Sequence, residues 1–297
     1  MKIATFTQAG ERRIGIVDIE RQEISPFDLT VDAARAGLLA IIDRNSALPA
    51  TLSPVPLSQV ELEAPIPLPR RNIFCVGKNY YEHAHEFAKS GFDSSAAAGA
   101  VPKEPIIFSK LPETVIANHA RVIIDPLVST AIDYEAELAV IIGKPGRGIA
   151  KADVFDHIWG YTIINDVTAR DLQGKYSQWL IGKSQDTFCP MGPWAVSKDE
   201  IDIANAGIRS FVNRELRQDA KIAQLIFDIP TLVATISQGI TLNAGDIIAT
   251  GTPAGVGIGF NPPKYLKDGD VVRVEIDGIG ALENRFAEAP GRLAEGM

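Results

Sequence analysis

Residues 132–143 read IDYEAELAVIIG, and they pose a problem of charge. Leu138 to Ile142 is an unbroken apolar run, the mark of a strand covered on both faces. Glu135 and Glu137 stand beside it, two positions apart, so on a strand both side chains point the same way. A carboxylate in an apolar interior is costly unless it is protonated, paired with a base or bound to a cation. The plain alternative is an edge strand whose glutamates face solvent and pair with lysines.

The neighbouring segments read mostly as strands. NIFCVG (72–77), PIIFSK (105–110), RVIIDP (121–126) and WGYTIINDVT (159–168) are short β-rich runs, and DVVRVEIDGIGALENRF (270–286) reads as a hairpin. DIIATGTPAGVGIGF (246–260) is a strand running into a glycine-rich turn. Residues 2–20 read as a hairpin around Gly10, and 30–43 as a helix with Thr30 or Asp32 near its N-cap. A helix is expected over 79–90, and TARDLQGKYSQWLIGK (168–183) starts helical and continues as loop. GFDSSAAAGAVPKE (91–104) reads as a mobile loop and a candidate lid over the preceding helix. Prolines alternate through EAPIPLPRR (63–71), an extended connector, which divides the chain into a small N-terminal domain (1–68) and a larger one (69–297). Strands and helices do not alternate as βαβ units, so the expected class is α+β.

Composition narrows the function. A net charge of -8 argues against a nucleic-acid surface. No apolar stretch approaches the roughly 18 residues of a spanning helix, and the N-terminus MKIATFTQAG has no apolar leader core. Cys75 and Cys189 form no CxxC pair, so a reducing cytoplasm is the expected compartment.

A third carboxylate, Asp166, ends the strand over 159–168. Three carboxylates from two strands, with no cysteine among them, suit a hard cation, Mg²⁺ or Mn²⁺ with Ca²⁺ as a further option, better than Zn²⁺. In EHAHEF, His83 and Glu86 are three apart and share a helix face. A carboxylate on one imidazole nitrogen leaves the other as a base; the bland alternative is a solvated helix face. IGKS (181–184) has Ser177 where a phosphate loop needs glycine, so Lys183 is read instead as a candidate oxyanion donor. Arg170 and Gln173 share a helix face, where an arginine can grip a substrate carboxylate; the bland alternative is a salt bridge to Asp171 or another nearby acid. Gly251, Gly255, Gly257 and Gly259 let the backbone approach a ligand closely, or simply make a sharp turn.

FCVGKNYYEHAHEF, PIIFSK, DYEAELAVIIG, GYTIINDVTARDLQ, GKSQDTFCPMGPW and IATGTPAGVG together resemble the fumarylacetoacetate hydrolase family, in that family's order, over about residues 65–286. The resemblance implies a mixed β-sandwich roll, usually a homodimer, with a small N-terminal domain. It implies Glu135, Glu137 and Asp166 as ligands of Mg²⁺ or Mn²⁺, His83 and Glu86 as the base dyad and Lys183 as the catalytic lysine. Arg170, Gln173 and Thr252 are the implied substrate contacts. The expected activity is hydrolysis of a C–C bond in a 2,4-dioxo acid of acylpyruvate or fumarylpyruvate type. The alternative is oxaloacetate decarboxylation or hydroxymuconate-type isomerisation on the same site.

Overall fold

The computed structural model describes residues 1–44, 47–89 and 101–289. Most of the expected lid, residues 91–100, lies outside them. Among the described residues the strand Ala136–Ile142 sits within a twelve-stranded sheet. It pairs antiparallel with Ile158–Asn165 on one side and Ile247–Ala249 on the other. All seven of its residues are buried. Ala136, Leu138, Val140 and Ile142 enter one core, while Ala139 and Ile141 enter another with Ile3, Phe27, Leu38 and Ile41. The period-two alternation therefore separates two apolar cores, which is why the sequence shows no polar face here. An edge strand with solvent-facing glutamates is excluded.

The first of those cores is shared with a second sheet of five strands. Its order is Glu215–Lys221, Gly207–Val212, Val271–Ile276, Gly280–Glu288 and Arg121–Ile124. Helix Ile229–Ser237 adds Leu232, Val233 and Ile236 to the same core. Asp228 caps it, accepting from the Thr231 N–H at 2.9 Å, with Pro230 in the first turn. Most pairings are antiparallel, but Ile73–Gly77 runs parallel to Ile247–Ala249. Gly280–Glu288 likewise runs parallel to Arg121–Ile124. The result is the expected α+β class, a mixed two-sheet fold with short helices.

The N-terminal hairpin is present as Lys2–Gln8 and Glu11–Asp18, closed by Ala9 and Gly10 at φ 52° and 81°. Positive φ at both turn residues is the type I′ geometry that matches strand twist. The single helix expected over 30–43 is broken into Val31–Ala34 and Leu39–Ile42. Gly37 interrupts it at φ +60°, where a Cβ would lie 2.6 Å from Pro67 and 2.7 Å from the Pro65 carbonyl. The chain must turn there to pack against the proline segment, a tertiary demand that local helix propensity cannot anticipate. That segment is pinned in turn, since the Pro65 carbonyl accepts from Thr5 Oγ1 and from the Leu38 N–H, both at 2.8 Å. Strand Lys2–Gln8 also pairs with Cys189–Ser197, so the N-terminal strands extend the large sheet. No described helix is long and apolar enough to cross a membrane.

Candidate active site

The acidic cluster is built by register. Ala136 stands opposite Asn165 across the central strand pair. Just beyond that pair, the Glu135 N–H donates to Asn165 Oδ1 at 3.1 Å and the Asp166 N–H donates to the Glu135 carbonyl at 2.9 Å. This reciprocal bonding brings Glu135, Glu137 and Asp166 together, each offering an oxygen within 4.8 Å of the others. Glu137 and Asp166 are fully buried, and Glu135 nearly so.

Two of the three have basic partners. Lys183 Nζ lies 2.7 Å from both Glu135 and Asp166, and Arg170 Nη1 lies 2.7 Å from Glu135. Lys110 Nζ reaches Asp166 at 2.7 Å and also donates to the Val167 and Lys183 carbonyls. Burial raises the Glu135 pKa, but Lys183 and Arg170 overcome it and bring the group down to about 2. Burial lowers the Lys183 pKa, and Asp166 and Glu135 more than restore it.

Among the described residues, Glu137 has no such partner. Its Oε2 accepts from the Gly251 N–H at 2.9 Å, and its Oε1 has no hydrogen-bond partner among the described residues. Burial, Asp166 and Glu135 all push its pKa well above the ordinary range. An orphaned carboxylate oxygen beside two further carboxylates fits a hard divalent cation. The two buried cysteines stand outside this cluster, and burial pushes the Cys75 thiol well up and the Cys189 thiol to about 12.

His83 and Glu86 lie on helix Tyr81–Lys89, with His83 Nδ1 3.2 Å from Glu86 Oε2. His83 is 4% exposed, which removes the solvated-face alternative. The glycine-rich turn explains why Glu86 stays there. The Gly255 N–H donates to Glu86 at 3.1 Å, and a Cβ on Gly259 would fall 1.7 Å from Glu86 Oε1. The backbone thus approaches the chain's own carboxylates, Glu137 through Gly251 and Glu86 through Gly255.

Arg170 begins helix Arg170–Lys175 and is 1% exposed. Its Nε donates to Asp133 Oδ2 at 2.9 Å and its Nη1 to Gln173 Oε1 at 3.1 Å, while Nη2 has no hydrogen-bond partner among the described residues. His83, Glu135, Glu137, Arg170, Gln173, Lys183 and Thr252 all line one cleft of about 280 Å³, counting its open mouth. Of the nine residues singled out from the sequence, Glu86 and Asp166 lie behind that lining, each bonded to a residue that forms it.

Four further residues escaped the sequence reading. Asp133 is buried and accepts from Arg170, Gly257 N–H and Ile258 N–H, so it anchors both the arginine and the glycine turn. Lys110 holds Asp166 from behind. Lys78 lines the cleft with its backbone at φ 53° and its ammonium 5.6 Å from the Phe87 ring. Gln218 reaches the site from the five-stranded sheet. Asp133, Lys78 and Lys110 stand inside the quoted motifs and could have been weighed, although nothing local to Lys110 or Gln218 signals which partners they meet.

Arg170 compensates two buried acids at once. Arg170→Met is expected to destabilise the fold by about 3–5 kcal/mol, because it strands Asp133 and leaves Glu135 to Lys183 alone. Urea unfolding midpoints measure this; a loss below about 1 kcal/mol would place the ion pairs outside the stability of the fold.

The model of the fumarylacetoacetate (FAA) hydrolase C-terminal family matches residues 72–287. The chain is 50% identical over 231 residues to an oxaloacetate tautomerase, YisK, of Bacillus subtilis (strain 168), covering 77% of this chain and 74% of that one. It is 44% identical over 251 residues to a mitochondrial oxaloacetate tautomerase, fahd2, of Xenopus laevis, covering 84% and 75%. Among solved structures, a fumarylacetoacetate hydrolase from psychrophilic Exiguobacterium antarcticum has a TM-score of 0.82 at 40% identity, covering 97% of this chain and 100% of that one. A 5-carboxymethyl-2-hydroxymuconate delta-isomerase from Mycobacterium smegmatis has a TM-score of 0.78 at 30% identity, covering 97% and 100%.

Proposed function

The chain belongs to the fumarylacetoacetate hydrolase family and is an enzyme of it, and from that premise we propose that it is a keto–enol tautomerase acting on oxaloacetate or a closely similar 2-keto dicarboxylic acid. The observation that carries this reading is a pair of unmatched buried atoms in the site of His83: Glu137 Oε1, an acceptor, and Arg170 Nη2, a donor. The first fits a cation, and the second fits a substrate carboxylate. His83, its Nδ1 occupied by Glu86, offers Nε2 as the base.

Tautomerisation asks for nothing more. Nε2 takes the C3 proton of the keto acid, the resulting enolate oxygen develops charge near the Lys183 ammonium, and return of the proton from the His83 imidazolium to that oxygen completes the enol and restores the base. A divalent ion held by Glu135, Glu137 and Asp166 would supply charge stabilisation to that oxygen. Arg170 fixes the carboxylate, and Phe87, Phe108 and Trp179 restrict water around the reacting carbon. The hydrolysis expected from the sequence needs an additional, positioned water. The relatives named as oxaloacetate tautomerases, and the isomerase among the structural neighbours, support a proton shift instead. The boundary at residue 68, with the chemistry all in 69–297, and a homodimeric assembly belong to the same proposal. In support of the boundary, the cleft takes no described residue from 1–68.

The deciding experiment follows enol-oxaloacetate decay by absorbance with Mg²⁺ and with Mn²⁺. Pyruvate and CO₂ release, and cleavage of acetylpyruvate and fumarylpyruvate, are measured in parallel. Tautomerisation is expected to exceed the other reactions in kcat/KM by about 10²-fold or more. Faster C–C cleavage of a dioxo acid would sink the proposal and restore the hydrolase reading; faster CO₂ release would make the chain a decarboxylase.

A further inference from the structure

We propose that Gln218 is a positioning residue that fixes the Thr252 hydroxyl as a hydrogen-bond donor to the substrate. The proposal rests on the reading that this cleft holds a keto acid. Gln218 is the single buried residue of strand Glu215–Lys221, and it is a polar one with no exposed surface. Every hydrogen-bonding position on its amide is used. Oε1 accepts from the Ala136 N–H at 3.1 Å and from Ser210 Oγ at 2.8 Å. Nε2 donates to Thr252 Oγ1 and to the Pro253 carbonyl, both at 2.7 Å.

The direction of these bonds is set by chemistry. A backbone N–H can only donate and a carbonyl can only accept, so Ala136 demands the amide oxygen and Pro253 demands the amide nitrogen. The Thr252 hydroxyl therefore accepts from Gln218, and its own proton must go elsewhere. Among the described residues no acceptor takes it, although Thr252 is only 2% exposed. Thr252 lines the cleft beside His83, Glu137 and Arg170, so the proton is available there to an acceptor oxygen of the ligand. A carboxylate or keto oxygen satisfies that geometry, and a ligand with no acceptor there leaves the buried hydroxyl proton unpaired. The amide also ties the five-stranded sheet to Ala136, the residue between Glu135 and Glu137.

The test measures binding of oxalate, a planar dianion that presents two adjacent carboxylate oxygens as a 2-keto acid does, by calorimetry with Mn²⁺ present. Kinetics with oxaloacetate run alongside. Gln218→Glu keeps the acceptor for Ala136 and Ser210 but offers Thr252 an acceptor, so the hydroxyl turns away from the cleft. Gln218→Met, which adds no buried charge, removes the constraint altogether. Each variant, and Thr252→Val, is expected to weaken oxalate binding about tenfold and to raise KM more than it lowers kcat, while Thr252→Ser retains wild-type affinity. Combining either Gln218 variant with Thr252→Val is expected to add little, because both act through one bond. Equal losses in the wild-type and Thr252→Val backgrounds would make Gln218 merely structural and overturn the proposal. So would unchanged affinity in the Gln218 variants, or no oxalate binding by the wild type. Coupled losses of binding in a chain that does not turn over oxaloacetate would uphold Gln218 and sink the tautomerase reading instead.

Discussion

Glu137→Gln is expected to abolish metal-dependent turnover and, at the same time, to stabilise the metal-free protein. Glu137 is a buried carboxyl with an orphaned oxygen, held beside Glu135 and Asp166. The amide has the same shape, carries no charge and turns its N–H donors toward those acids, so relief of about 1–3 kcal/mol is expected at neutral pH. Turnover should fall by about 10³-fold or more, and the rise in Tm that Mn²⁺ produces in the wild type should vanish. Destabilisation of the metal-free variant, or an intact Mn²⁺ response, would remove Glu137 from the metal site.

The pH dependence carries the same information. Burial, Asp166 and Glu135 hold the Glu137 pKa above its ordinary value of 4.5, so the folded chain keeps a proton that the unfolded chain has released. Metal-free stability should accordingly decline as pH rises from about 4.5 toward that raised value. Glu135, lowered to about 2 against its burial by Lys183 and Arg170, acts in the opposite sense. Its contribution is present above the ordinary value and lost as pH falls toward 2. Glu137→Gln should flatten only the upper limb. Urea midpoints across pH, with EDTA, separate the two.

The second large effect is expected at His83. His83→Ala should lower kcat for tautomerisation by about 10²–10⁴-fold with KM little changed, since the base acts on the C3 proton and not on the carboxylate grip. Gly259→Ala provides an independent check that spares both dyad residues. A methyl there would overlap Glu86, the flexible end of a side chain, so the fold can accommodate it by moving Glu86 off His83. The loss should approach 10²-fold, the order that a misplacement of about 1 Å can bring. Full activity in His83→Ala would show that another group moves the proton.

Local chemistry in the chain was enough for the strand Ala136–Ile142, the paired glutamates, the hairpin within 2–20 and the helix that carries His83 and Glu86. In each, the relevant period or turn spans only a few residues, and each is present. The α+β class followed from the order of such segments. What no local pattern contains is the partner of a buried charge. Lys110 meets Asp166 across 56 residues of chain and Lys183 meets Glu135 across 48, so which carboxylate is neutralised and which is left open depends on long-range packing. The same holds for the broken helix at Gly37, where the proline segment from 28 residues further on demands the turn. It holds again for the glycines after strand Ile247–Ala249, whose density suggested a ligand or a plain bend, and whose amides instead face Glu137 and Glu86. Side-chain type and spacing report what a segment can do on its own. The free energy of a buried ion is set by its surroundings, and those are assembled only when the two sheets close on each other.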